Sequence, residues 1–181
     1  MDKYLHRLQE SIAFSVRGIS ESDLIRRPPG KWSIAEIVEH LYLTYTATSK
    51  GCERALASSS PALRPTLKER LFIFVVVDCG HMPKGRKASE RNSPRGTTNA
   101  GIVQKITPQL AALDEVLARC EQRYGKRTRF MNHPVLGPLS VPQWGKFHWV
   151  HGRHHIRQIL ALRRRWAEKE KAPNRPGAQC A

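Results

Sequence analysis

The chain has 181 residues and is 40% hydrophobic, enough for one soluble globular domain with a real core. Its 31 Lys and Arg against 15 Asp and Glu give a formal net charge of +16, which favours anionic partners without choosing among nucleic acid, membrane surface and acidic small molecules. The longest apolar run, Leu71 to Val77, is far short of the roughly 20 residues that cross a bilayer, and Met1 to His6 has no apolar signal-peptide core, so no membrane and a cytoplasmic location are expected.

In chain order, Tyr4, Leu5, Leu8, Ile12 and Val16 form an amphipathic stripe that predicts a first helix over 2–18, closed by Gly18. Residues 20–30 read as a connection, because Pro28-Pro29-Gly30 prevents helix there. Ser33 followed by Glu36 is a capping box. It opens a second helix over 33–57, with Ile34, Ile37, Val38, Leu41 and Tyr45 at helical spacing and His40 on the border of that face.

The run from Leu63 to Asp78 fits a buried strand or a buried helix by periodicity. Helix is the better assignment, since no other segment alternates well enough to pair with a strand. Residues 80–101 hold Pro83, Gly85, Pro94, Gly96 and five Lys or Arg, and read as a long basic loop. Lys84 and Arg86 are candidates there for meeting an anionic substrate, although a mobile surface loop is the preferred account of them, and His81 has no evident partner. A helix over 98–124 follows, with Ile102, Ile106, Leu110, Leu113, Leu117 and Cys120 on one face, Pro108 kinking or splitting it and Gly125 as its end. After a turn-rich stretch at 133–138, in which His133 reads as structural, Ser140 and Gln143 suggest another capping box. The last helix then runs to about Lys169.

Cys52, Cys79, Cys120 and Cys180 are far apart in sequence and lack C-x-x-C spacing, which predicts reduced thiols, with Cys79 and Cys120 in ordinary core or border positions and Cys180 in a loose tail. None reads as a nucleophile. The basic residues are scattered and not interleaved with aromatics, so a solvated basic surface is preferred to nucleic-acid binding.

The chemistry-bearing segment is His148-Trp149-Val150-His151-Gly152-Arg153-His154-His155. On a helix, His151 and His155 stand i, i+4 and project to one side, the separation at which two imidazoles can grip one metal ion. A third ligand must come from elsewhere, and His40 can look inward from the second helix. His148 lies on the same stripe and competes for a ligand role, though packing beside Trp144 is the preferred account of it. His154 points about a third of a turn away. Glu36 and Gln158 are candidates for orienting ring nitrogens, while Trp32 and Trp144 read as core anchors.

The W-S-x-x-E-x-x-x-H-L segment at 32–41 and the H-P-x-x-G-x-L-S … W … H-x-x-H-H-x-x-Q-I segment at 133–159 resemble the DinB-like family of metal-binding proteins, which includes thiol-dependent transferases. The resemblance implies an all-α, up-and-down four-helix bundle, here with one additional shorter helix and the long basic loop. It implies one domain over 1–169 with a flexible tail over 170–181, and His40, His151 and His155 as ligands of a divalent metal. Imidazole suits several metals; zinc and nickel are the first expectations. It further implies a metal-bound low-molecular-weight thiol transferred to an electrophilic small-molecule substrate, with a homodimer as a possible assembly. A hydrolase using bound hydroxide shares every ligand, and a non-enzymatic stress-related protein holding a metal or an acidic partner is the alternative from another class.

Overall fold

The computed structural model describes residues 1–58, 63–83, 85, 89–95 and 99–171, with side chains to residue 168. The suggestion for Lys84 and Arg86, and the predicted tail beyond residue 171, lie outside the described residues. The helices are α1 (Lys3–Val16), α2 (Glu21–Ile25), α3 (Ile34–Ala57), α4 (Leu67–Ile73), α5 (Ile102–Tyr124) and α6 (Val141–Lys171). A π-helical turn, Phe74–Asp78, continues α4, and a 3-10 turn covers Glu90–Asn92. The expected all-α four-helix bundle is present, built from α1, α3, α5 and α6 around one core that includes Leu5, Leu8, Val38, Leu41, Leu110, Leu113 and Ile159.

Several local readings hold in detail. The predicted Ser33–Glu36 box caps α3, with Ser33 Oγ accepting from the Glu36 N–H and the Glu36 carboxylate accepting from the Ser33 N–H. The ambiguous segment is helical over 67–78, opened by a second capping box between Thr66 and Glu69. Other boundaries differ. The connection at 20–30 contains the short helix α2, nucleated by the Ser20 side chain accepting from the Asp23 N–H. The helix expected from 98 begins at Ile102, and the turn-rich stretch before α6 closes as an antiparallel hairpin, β1 (Met131–His133) with β2 (Gly137–Leu139). Three-residue strands are too short for alternation to reveal them. His133 is structural, as expected: its Nδ1 accepts from the Val135 and Leu136 N–H groups at 3.1 Å each, closing the hairpin turn.

Contacts along the helices fix their directions. Asp2 lies beside Gly145, Leu8 beside Gly152, and the Arg163 guanidinium donates to the Ser15 carbonyl at 2.8 Å, so α1 and α6 run parallel. Gln109 donates to Ser49 and Tyr124 to the Ala55 carbonyl, so α3 and α5 also run parallel. Against α6, α3 is antiparallel: His40 meets His155, Tyr45 meets His148, and Gly51 meets Met131 ahead of the helix. The connections α1–α3 and α5–α6 therefore reverse the chain, whereas the long segment between α3 and α5 carries it back along the bundle.

The parallel α1–α6 seam depends on two glycines seven residues apart, which place two side-chain-free positions on one stripe of α6. A Cβ at Gly152 would collide with the buried Leu8 side chain, and one at Gly145 would lie 2.9 Å from Asp2 Oδ1. Glycine inside a helix ordinarily disfavours it by about 1 kcal/mol relative to alanine, so close approach of α1 is what these positions provide. Gly152→Val should lower stability by about 1–3 kcal/mol, the usual range for overpacking a core, read as a lower urea midpoint at unchanged slope. A midpoint equal to or above that of the parent would contradict this account of the seam.

Candidate metal centre

The antiparallel α3–α6 contact brings the three predicted ligands together. His40 projects from the second turn of the capped α3, and His151 and His155 from successive turns of α6. His40 Nε2 lies 3.2 Å from His151 Nε2, and His155 Nε2 lies 3.1 Å from the same atom. One potential ligand nitrogen from each residue falls within 4.8 Å of the others. Among the described residues, the groups able to hold a metal consist of these imidazoles.

The tautomers follow from the partners behind the rings. His40 Nδ1 lies 2.7 Å from the Asn92 carbonyl oxygen, which only accepts, so Nδ1 carries the proton and Nε2 a lone pair. His155 Nδ1 lies 2.8 Å from Gln158 Oε1, while the Gln158 amide donates to His154 Nε2, fixing His155 in the same tautomer. Two lone pairs thus face His151 Nε2, which carries at most one proton to share between them. At least one acceptor is therefore left unmatched by the described side chains, and a cation at the centre would satisfy it. Ligand bonds of about 2.0–2.1 Å in tetrahedral geometry put donor nitrogens about 3.3 Å apart, close to the separations observed. The donor set therefore fits a metal ion.

Electrostatics favour the ligating form of each ring. Burial, and then the neighbouring imidazoles, push His151 well below the usual histidine range; burial and His40 bring His155 down to about 3; burial also lowers His40, against the opposing effect of the Asn92 carbonyl. All three are neutral at physiological pH, as coordination requires. Aromatic rings wall the cluster: Phe147 stacks on His151 with an interplanar angle of 5°, and Trp32 packs on His40 at 5.2 Å between ring centres. No partner of the described residues bonds His151 Nδ1, so packing on Phe147 orients that ring.

Of the remaining candidates, Gln158 orients His155 and Glu36 does not orient a ligand. The Glu36 carboxylate is buried, bonded to the Arg27 guanidinium and the Ser33 N–H, and therefore belongs to the α3 cap. His148 is fully buried one turn before His151, packed between Trp144 and Tyr45, and is not among the converging nitrogens. Trp144 is a core residue, whereas Trp32 is a wall of the site. Asn92 was not legible in the sequence, because its contribution is a main-chain carbonyl that any residue could supply.

Burial brings His148 to about 3 as well, and neither of its ring nitrogens has a hydrogen-bond partner among the described residues. Below about pH 6.5 the unfolded chain protonates such a group while the native state does not. Stability is therefore complete above pH 6.5 and falls as the pH drops toward 3. The metal-free protein should show a urea midpoint that declines from pH 7.5 to pH 5, and His148→Phe should make the decline shallower without loss of stability at pH 7.5. Equal slopes for the two proteins would refute the assignment of a neutral buried His148.

Comparison with known proteins agrees with the fold. The structure of YfiT from Bacillus subtilis, described as a probable metal-dependent hydrolase with an unusual four-helix bundle topology, superposes with a TM-score of 0.57 at 18% identity, covering 92% of this chain and 87% of that one. At that identity the likeness shows a shared fold. No curated protein is significantly similar in sequence. A family model described as a protein of unknown function, DUF1569, matches residues 5–161, and the chain belongs to that family.

Proposed function

We propose that the chain is a metal-dependent hydrolase in which His40, His151 and His155 hold one divalent ion, zinc or nickel, and that residues 1–169 form the single domain carrying this site. The observation behind the proposal is the convergence of three neutral imidazoles, of which His40 and His155 are held in tautomers whose lone pairs face the third ring. An ion held by three such ligands keeps a position open and lowers the pKa of a water or thiol bound there. The chain's own residues supply the rest. Asn92 and Gln158 fix the ring orientations, and Trp32 and Phe147 limit access of water to the ligand nitrogens. The fold shared with a protein described as a probable metal-dependent hydrolase supports hydrolysis as the reaction, with a small molecule as substrate.

Thiol transfer is the second reading, and the composition of the cluster is compatible with it. Its members are imidazoles alone, so no carboxylate among them stands ready as a general base. A reaction whose nucleophile is the metal-bound species itself, hydroxide or thiolate, suits that set.

Elemental analysis of protein purified without an affinity tag should give one zinc or nickel per chain. His151→Ala should lose it, His133→Ala and His154→Ala should retain most of it, and Gln158→Leu should weaken affinity about 10- to 100-fold, the usual loss when a partner orienting a ligand is removed. The metal-loaded parent should hydrolyse members of an ester and amide panel, with activity abolished in His151→Ala. Consumption of a low-molecular-weight thiol with an electrophile, in the absence of hydrolysis, would select the transferase reading. Full metal retention by His151→Ala would overturn both.

A further inference from the structure

Cys52 and Cys120 are 68 residues apart in sequence and meet in the core. The Cys120 thiol donates to the Cys52 carbonyl oxygen at 4.0 Å across the α3–α5 seam, and both cysteines are fully buried. Parallel packing is what allows this, because it sets the last turns of both helices side by side. Cys52 is five residues from the end of α3 and Cys120 four from the end of α5. Their sequence neighbours Glu53 and Arg119 form an exposed ion pair at 2.6 Å, so the pair lies one layer beneath the surface. The two helix ends are tied together beyond the pair: the Tyr124 hydroxyl donates to the Ala55 carbonyl, and the Tyr124 ring stacks on Phe130. Helix ends are where local opening is easiest.

From this juxtaposition we infer that Cys52 and Cys120 are a redox modification site, oxidised by a low-molecular-weight disulfide to a bond that ties the ends of α3 and α5. When the helix ends open, the Cys120 thiolate attacks one sulfur of the oxidant, forming a mixed disulfide and releasing one thiolate. The Cys52 thiol then loses its proton and attacks the Cys120 sulfur, forming the intramolecular bond and releasing the second thiolate. The pair loses two electrons and two protons, and the oxidant becomes two thiols. The neighbouring Cys120 thiol, and then burial, push the Cys52 thiol up, while Cys52 in turn holds Cys120 below the usual thiol range, which fits Cys120 as the attacking sulfur. The bond would enclose the whole segment between α3 and α5, including Asn92, whose carbonyl orients His40.

The test is incubation of the full native chain with oxidised glutathione, followed by alkylation of free thiols under denaturing conditions and peptide mapping. Exposed Cys79 reports that the oxidant is active. The expected product is a mass loss of two hydrogens from the linked pair, a Cys52–Cys120 peptide, and a thermal midpoint several degrees higher, reversed by reductant. Cys52→Ala should instead accumulate a mixed disulfide on Cys120. Tyr124→Phe, which removes only the hydroxyl tie between the two helix ends, should form the bond at least several-fold faster. Both thiols remaining alkylatable while Cys79 is modified, or a bond that forms only above the unfolding midpoint, would overturn the inference.

Discussion

Three imidazole nitrogens meet where α3 crosses α6, and two of them must carry lone pairs because their opposite nitrogens donate to a carbonyl and an amide oxygen. Such an arrangement is unfavourable in a buried setting, since unmatched acceptors there lose hydration without a replacement. Much of the surrounding structure serves to hold it. The capping box of α3 sets where His40 falls, Phe147 stacks on His151, and Trp32 covers His40. Burial then keeps the rings neutral, so the features that make the cluster costly without a cation are those that prepare it for one. Strain of this kind, maintained by packing elsewhere, is characteristic of functional sites.

Chain direction is the second constraint. With α1 parallel to α6 and α3 parallel to α5, the segment between α3 and α5 must return along the bundle before α5 begins. That return brings the 3-10 turn at Glu90–Asn92 against α3, and the Asn92 carbonyl reaches His40 from there. The basic segment is thus part of the site's support. The same parallel pairing aligns the ends of α3 and α5 and so brings two cysteines into contact. Topology, site geometry and the thiol pair all follow from one crossover.

The charge of the chain plays a different part. Arg27 is drawn onto the buried Glu36 carboxylate, holding it below the usual range against the opposing effect of burial. That pair locks the start of α3, two turns from His40. Arg163 and Arg153 donate to main-chain carbonyls of neighbouring elements. Exposed charges of one sign otherwise repel and are screened over about 8 Å at physiological salt. The basic excess is accordingly a surface property, and the specific contacts of a few arginines are what the fold uses.

Much of this was legible in the residues. The Ser33–Glu36 box, the apolar stripe of α3 and the i, i+4 pair His151 and His155 are local patterns, and the hydrogen bonds and helical spacing they rely on lie within a few residues. With the motif order of the DinB-like resemblance, they indicated the bundle and the three converging histidines. Asn92 could not be read, because it acts through its main chain and its identity leaves no mark. Gln158 and Glu36 looked alike as candidates; helical spacing sets Gln158 beside His155 on α6, whereas the Arg27 guanidinium takes the Glu36 carboxylate. Cys52 and Cys120 looked unrelated, since a contact between residues 68 apart depends on whether two helices run parallel, and helical periodicity carries no information about direction. The sequence determined which faces are buried and which side chains can bind; the path of the chain between helices decided which of them meet.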